Sequence, residues 1–155
     1  MSSNPTEVDR TAPVLARHEI EIETPLERVW RLHTEVAAWP QWQKEITDAT
    51  IDGPFQPGIS FEWTSYGFSV TSTIYEVEDR SRSLWGGTAG GITGIHEWRF
   101  IETPTGVRVE TNESFAGEPV DDDPASMQSM LDTSLEAWLG HLKGAAESPT
   151  NERRQ

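Results

Sequence analysis

Apolar and polar residues alternate through most of the chain, a pattern typical of half-buried β-strands. Between His18 and Glu23 the alternation places the histidine and two isoleucines on one face and three glutamates on the other. Six further stretches bounded by glycine, proline or polar turns follow this pattern. They span residues 46–51, 59–63, 68–77, 84–85, 96–100 and 107–115. The sequence therefore predicts seven strands.

Helical patterns interrupt the strands near both ends of the chain. Thr24 as N-cap and Pro25 at the first helical position predict a helix of about two turns. A second short helix is predicted over 34–38, before Trp39 and Pro40. After an acidic loop, Asp123 caps a long helix whose apolar residues recur every three or four positions. These are Met127, Met130, Leu131, Leu135, Trp138, Leu139 and Leu142.

This order of elements predicts an α+β helix-grip fold, with a curved seven-stranded antiparallel sheet wrapped around the long C-terminal helix. A parallel βαβ arrangement is excluded because no crossover helices separate the middle strands. We expect a single domain over 17–146. Polar composition predicts a disordered lead-in over 1–16 and a disordered tail over 147–155.

Composition narrows the classes of partner. The chain of 155 residues carries 26 acidic and 12 basic side chains, a net charge of −14. Such a charge disfavours nucleic-acid and membrane-surface binding. The absence of cysteine excludes disulfides and thiolate catalysis and fits a reducing compartment. Neither a signal peptide nor a long apolar run is recognisable, so we expect a cytoplasmic protein.

Sites for cofactors and metals are not predicted. The glycines of 86–94 do not have the spacing of a phosphate-binding loop, and no helix follows them. The four histidines lack the spacing of a metal site. The acidic residues 121–123 lack the pattern of a calcium loop and are interpreted as a solvated lead-in to the last helix.

Aromatic residues provide the first candidate binding site. The chain has seven tryptophans, a heavy aromatic load for its apolar content. Rings on inward faces can together line a pocket for flat apolar molecules, although each ring alone is better explained by ordinary core packing. The candidate ligand-binding residues are Trp42, Trp63, Tyr66, Trp85, Trp98, Thr111, Met127, Met130 and Trp138.

Two polar residues share these inward faces. His96 alternates with Trp98 and Phe100, and Glu113 alternates with apolar residues of the last strand. A tight hairpin at Pro104 and Thr105 would place His96 directly opposite Glu113, within hydrogen-bonding reach. The pair is either a structural pair or a polar group inside a cavity, where both residues would be catalytic.

The sequence as a whole resembles the polyketide cyclase/dehydrase branch of the START-like helix-grip superfamily, also called SRPBCC. The resemblance rests on five stretches and spans roughly residues 17–146. These are 22–30 (IETPLERVW), 39–42 (WPQW), 84–86 (LWG), 94–100 (GIHEWRF) and 113–117 (ESFAG). It implies a hydrophobic cavity between sheet and long helix, suited to a polycyclic, aromatic or lipid-like molecule.

Three functions stay open from the sequence. The first is a cyclase, dehydrase or aromatase acting on a polyketide-like substrate, in which His96 is base or acid, Glu113 orients it, and Tyr66 or Thr111 polarises a carbonyl. The second is a non-catalytic carrier or sensor of a hydrophobic ligand. The third is a partner protein that acts through its surface. A homodimer is compatible with all three.

Overall fold

A computed structural model describes residues 4–148 of the chain. Its strands are β1 (Val14–Ile22), β2 (Ile46–Ile51), β3 (Ser60–Ser65), β4 (Phe68–Glu78), β5 (Arg82–Ala89), β6 (Ile92–Thr103) and β7 (Gly106–Ala116). Its helices are α1 (Leu26–Thr34), a 3-10 helix (Val36–Gln41), α2 (Glu118–Asp122) and α3 (Pro124–Glu147).

The strands form one antiparallel sheet in the order β1-β7-β6-β5-β4-β3-β2. The long helix α3 packs against β1 and against tryptophans of the sheet. The α+β helix-grip prediction is therefore confirmed. We call the face of the sheet toward α3 the inner face and the opposite face the outer face.

The N-terminal part of the fold begins earlier than the pattern predicted. Strand β1 starts at Val14 rather than at His18. Before it, the carbonyl of Thr6 accepts a hydrogen bond from Arg82, and the Asp9 amide donates to the Ser114 hydroxyl. Residues 4–13 therefore contact the outer face instead of forming a separate lead-in. Most of the predicted tail, residues 149–155, lies outside the described residues.

Two hairpins turn on residues with positive φ. Strands β3 and β4 are joined by Tyr66 and Gly67, with φ of 52° and 83°. Strands β5 and β6 are joined by Gly90 and Gly91, with φ of 58° and 82°. Paired positive φ values suit the tight turns that match the twist of a hairpin. The glycine-rich stretch 86–94 is thus mostly strand.

Both short helices near the N-terminus differ from their predicted limits. Helix α1 begins after Pro25 and has no side-chain cap. The hydroxyl of Thr24, predicted as its N-cap, donates instead to the carbonyl of Ala146 at the end of α3. The second helix covers Val36–Gln41 and thus continues through Trp39 and Pro40, which were predicted to follow it.

The C-terminal helices show one correction and one confirmation. Residues 118–122, predicted as an acidic loop, form the short helix α2, which buries Val120 completely. A single valine among three acidic residues and a proline gives too little periodicity to predict a helix. The predicted cap of α3 is confirmed, since the Asp123 carboxylate accepts from the Ser126 amide at 3.2 Å.

The interior contains two groups of apolar side chains. The larger one extends from α1 and β2 to the C-terminal half of α3 and contains most of the tryptophans. The smaller one joins the start of β1, α2 and the N-terminal half of α3 through Val14, Ala16, Val120, Leu131 and Leu135. Between residues 4 and 148, no helix is both long enough and apolar enough to span a membrane.

Candidate functional site

The predicted register of the last hairpin is confirmed. Thr103 lies opposite Gly106, and this register places His96 opposite Glu113 on the inner face. The His96 Nδ1 atom lies 3.3 Å from a carboxyl oxygen of Glu113, and their side chains are 1% and 15% exposed. The two residues therefore form a close pair inside the fold.

The hydrogen bonds of His96 fix its tautomer. Its Nε2 atom lies 2.7 Å from the hydroxyl oxygen of Thr111. That hydroxyl donates its single proton to the backbone carbonyl of Glu97, at 3.2 Å. The Thr111 oxygen must therefore accept from His96, so Nε2 carries the proton and Nδ1 presents a lone pair to Glu113.

Burial sets the charge of both members of the pair. Burial raises the pKa of Glu113 to about 8, so the carboxyl group is protonated at neutral pH. Burial, with repulsion from His33 if both were charged, holds the pKa of His96 well below its ordinary value. The pair is thus a carboxylic acid beside a neutral imidazole.

Small residues flank the Glu113 carboxyl group on the two neighbouring strands. A Cβ atom on Gly94 would lie 3.3 Å from Oε2 of Glu113 and equally close to the Phe115 ring. Ala16 lies opposite Glu113 on β1 and contributes only a methyl group. Small neighbours on both adjacent strands therefore frame the carboxyl group, which lies closer to solvent than His96 does.

A ring cluster surrounds the imidazole. We define it as His96 with Trp85, Trp98 and Trp138. The His96 ring centroid lies 4.7 Å from that of Trp85, 5.0 Å from that of Trp98 and 5.7 Å from that of Trp138. Trp63 extends the cluster, at 5.6 Å from Trp138. These rings fill the space between the sheet and α3 with their own contacts, so a ligand must displace some of them.

The structure brings together most, but not all, of the candidate ligand-binding residues. Trp63, Trp85, Trp98, Thr111 and Trp138 lie around or beside His96. Met127 is half-buried and packs on the smaller apolar group, and Trp42 lies at the margin of the larger one.

Two candidates are wrong as residues of an internal pocket. Tyr66 is 62% exposed, because it occupies the turn between β3 and β4. Met130 is 50% exposed, since it lies about 100° around the helix from the buried Leu131. Tyr66 therefore cannot polarise a carbonyl inside the fold.

A second buried histidine was not predicted as a functional residue. His33 on α1 is 1% exposed, and its Nε2 atom lies 2.8 Å from the Ser83 hydroxyl. Burial lowers its pKa to about 3, so it is neutral. Its position three residues after Trp30, on the apolar face of α1, was the available signal in the sequence.

The outer face contains a buried ionic network that the sequence analysis also missed. Arg82 Nε donates to Glu97 Oε2 at 2.6 Å, and Arg99 approaches the same oxygen at 3.0 Å. A polar cleft of about 320 Å³ lies next to this network. It is lined by Thr6, Glu7, Arg10, Glu78, Arg82, Glu97 and Arg99.

No cluster of His, Asp and Glu suited to a metal ion occurs within residues 4–148. The histidine with acidic neighbours on α3 is His18, whose Nε2 atom lies 2.8 Å from Asp132. That contact joins β1 to the helix.

The sequence matches one protein-family profile over nearly its whole length. The profile is described as "Polyketide cyclase / dehydrase and lipid transport", and it covers residues 13–147. No protein of curated function matches the chain significantly.

Solved structures share the fold at low sequence identity. Protein jhp0584 from Helicobacter pylori superposes with a TM-score of 0.77 at 17% identity, over 95% of this chain and 100% of the other. A START superfamily protein from Mycobacterium smegmatis gives 0.73 at 14% identity, over 86% and 97%. The di-domain ARO/CYC BexL from the BE-7585A biosynthetic pathway gives 0.72 at 16% identity, over 88% of this chain and 50% of its own. At these identities the likeness concerns the fold.

Proposed function

The chain belongs to the polyketide cyclase/dehydrase and lipid transport family, and on that premise we propose that it binds a hydrophobic polycyclic or polyketide-like molecule between the sheet and α3. We further propose that it catalyses cyclisation, dehydration or aromatisation of that molecule by general acid–base chemistry.

One observation carries the proposal: a neutral carboxylic acid and a neutral imidazole are in contact on an otherwise apolar inner face. The pKa of Glu113, raised by burial to about 8, lies near the pH at which a general acid is most effective. The perturbation arises inside an aromatic interior, where perturbed groups often belong to functional sites.

The geometry supports a proposal in which the two residues have different roles from those the sequence predicted. Both nitrogens of His96 already face partners, Thr111 and Glu113. Glu113 is the more exposed member and presents Oε2 beside Gly94. We therefore assign Glu113 as the acid that meets the ligand and His96 as the base, whose Nδ1 becomes available to the ligand when Glu113 donates its proton.

The proposed reaction returns both residues to their starting protonation states. Glu113 protonates a carbonyl oxygen of the ligand while Nδ1 of His96 accepts a proton from the adjacent carbon, which yields an enol. The imidazolium then returns its proton to the Glu113 carboxylate across the 3.3 Å contact. The enol carbon can attack a second carbonyl to close a ring, and loss of water from the resulting alcohol gives an unsaturated or aromatic product.

A carrier without chemistry is the second candidate. It is favoured by the filled interior, because the rings around His96 leave the imidazole enclosed by Trp85, Trp98 and Trp138. A carrier needs the rings to rearrange around the ligand but requires no access to Nδ1.

The test uses 1-tetralone, a bicyclic ketone with an exchangeable α-hydrogen. Binding is measured by quenching of tryptophan fluorescence and by a rise in melting temperature. Catalysis is measured as protein-dependent exchange of the α-hydrogen for deuterium by NMR. We expect Glu113→Gln to reduce exchange by about a hundredfold or more while affinity changes little.

Glu102→Gln, an exposed position on the same hairpin, is the matched control and should exchange at the wild-type rate. Saturable binding without exchange would favour the carrier. Absence of binding across 1-tetralone and larger polycyclic ketones would overturn both candidates.

A further inference from the structure

Two indole N–H groups inside the fold have no hydrogen-bond partner among the described residues. They belong to Trp85 and Trp98, whose side chains are 1% and 0% exposed. A buried donor without an acceptor is costly, and native proteins contain few of them. Because both N–H groups lie in the same part of the interior, they indicate a ligand that supplies a hydrogen-bond acceptor there.

Both indoles belong to the ring cluster of the proposed site. Each contacts the His96 imidazole, and each lies against Trp138 of α3, with centroids 6.2 Å and 5.5 Å away respectively. A molecule that separates Trp138 from the sheet would lie against both indole rings and the His96 imidazole.

The other tryptophans show that this arrangement is particular to Trp85 and Trp98. The Trp63 indole donates to the Ser72 hydroxyl at 3.1 Å, and the Trp39 indole donates to the His33 carbonyl at 3.0 Å. A third unpartnered indole, that of Trp42, lies at the margin of the core rather than in the ring cluster.

The charge of the inner face limits the acceptor that fits. The inward positions of β1, β5, β6 and β7 in the described chain contain no lysine or arginine. Their titratable residues are His18, His96, Glu113 and, at the exposed end of β6 opposite Val107, Glu102. His96 and Glu113 form the neutral pair. A carboxylate or phosphate would therefore enter an interior without a countercharge, which is strongly unfavourable.

We propose that the indole N–H groups of Trp85 and Trp98 bind an uncharged oxygen acceptor of the ligand, a ketone or quinone oxygen on a ring system. This inference rests on the proposed function, because it places the ligand beside His96 and Glu113. The two indoles then determine specificity, selecting carbonyl-bearing rings over hydrocarbons and over carboxylates of the same size.

Three compounds of similar size test the inference: 1-tetralone, the hydrocarbon tetralin and the anion 1-naphthoate. Dissociation constants are measured by calorimetry for the wild type and for Trp85→Phe and Trp98→Phe. We expect 1-tetralone to bind the wild type about tenfold more tightly than tetralin. Each substitution should reduce that ratio to about threefold or less, with tetralin affinity little changed and 1-naphthoate weakest throughout.

Trp39→Phe is the matched control, because the Trp39 N–H already has a protein acceptor, the His33 carbonyl, and Trp39 is not among the candidate ligand-binding residues. It should leave the ratio of ketone to hydrocarbon affinity unchanged. Equal affinity of the wild type for 1-tetralone and tetralin would overturn the inference while leaving the proposed function intact. A ketone preference that survives both substitutions would also overturn it. If neither these three compounds nor larger polycyclic ketones bind, the proposed function itself is overturned.

A second measurement stays decisive if a substitution prevents folding. In the wild type, the indole N–H resonances of Trp85 and Trp98 should move downfield with 1-tetralone and not with tetralin. The resonance of Trp39 should not show this difference. Equal shifts with both compounds would contradict hydrogen bonding to the ketone.

Discussion

Two neighbouring cross-strand pairs on β6 and β7 place carboxyl groups on opposite faces of one sheet. On the inner face Glu113 lies opposite His96, and on the outer face Glu97 lies opposite Asn112. Both glutamates are largely shielded from solvent, with side chains 15% and 8% exposed. The two cross-strand pairs are adjacent, one residue apart along each strand. The two glutamates nevertheless differ in charge at neutral pH.

The partners account for this difference. Burial alone would raise the pKa of Glu97, but hydrogen bonds from Arg82 and Asn112 and the charge of Arg99 outweigh it and lower the pKa. Glu113 has a neutral imidazole and apolar neighbours, so burial raises its pKa. The outer carboxylate therefore belongs to a structural network, and the inner acid can give up a proton to a ligand. Four predictions test this contrast.

The largest effect is expected from Arg82→Met. It leaves the Glu97 carboxylate buried without its closest cation, and it removes a donor to the Thr6 carbonyl. Breaking a buried ion pair from one side costs about 3–5 kcal/mol. Urea denaturation followed by tryptophan fluorescence measures the loss.

Arg99→Met is the control, because Arg99 contacts the same oxygen but its side chain is 48% exposed. It should reduce the free energy of unfolding by less than about 1 kcal/mol. Equal losses from the two substitutions would show that the outer network is not a buried ion pair in energetic terms.

The second prediction concerns the pH dependence of stability, compared between wild type and Glu113→Gln. From about pH 4.5, where the unfolded carboxyl ionises, to about pH 8, the folded protein keeps a proton that the unfolded chain loses. The wild-type free energy of unfolding should therefore fall relative to the variant by about 1 kcal/mol per pH unit in that interval. Above pH 8 the difference should be constant.

Glu97→Gln should show the opposite dependence. The lowered pKa of Glu97 means that its stabilising contribution is complete above the unfolded value and is lost as the pH falls through the folded one. Denaturation curves at several pH values separate the two variants. A difference between wild type and Glu113→Gln that does not vary from about pH 5 to 8 would mean that Glu113 is ionised in the folded protein.

The sequence pattern predicted where the two carboxyl groups lie better than it predicted their protonation states. The alternation of β6 and β7 and the two-residue connection between them were sufficient to place His96 opposite Glu113, because a shift of one residue would invert both faces. The charge of each carboxyl group depends on partners far away in the chain. Arg82 lies 15 residues before Glu97, and no periodicity relates them.

The errors in the candidate site have a similar origin. Met130 and Leu131 both fit a stripe of three- and four-residue steps, and only the contact with β1 and α2 determines which one is buried. Tyr66 lies three residues after Trp63, out of phase with the alternation of β3 and in the turn, where the backbone directs the side chain. The sequence therefore predicts which face of a strand or helix a residue occupies. It does not predict where the element ends or which other element covers that face.

The third prediction tests the tautomer of His96. Thr111→Val removes the acceptor of the Nε2 proton and the donor to the Glu97 carbonyl, both in the interior. An unsatisfied buried donor costs about 1–3 kcal/mol, which denaturation curves would detect.

Thr111→Ser keeps the hydroxyl and should retain the imidazole nitrogen NMR shifts of the wild type. Thr111→Val should alter them, since the proton is then free to move to Nδ1. Unchanged shifts in Thr111→Val would mean that the Thr111 hydroxyl does not determine the tautomer.

The smallest effect is expected from Asn112→Ala on the outer face. The Asn112 amide donates to Glu97 Oε1 at 3.1 Å, while the two arginines approach the other oxygen, Oε2. The carboxylate keeps both cations when the amide is lost, so stability should fall by about 1 kcal/mol or less. The pKa of Glu97 should rise, measured by NMR titration of its carboxyl carbon, while the titration of Glu113 stays in place. Asn112 and Glu113 are adjacent in the chain but project to opposite faces, and the sheet between them carries no side-chain contact from one to the other. A shift of the Glu113 titration as large as that of Glu97 would mean that the two faces are coupled through the backbone of β7.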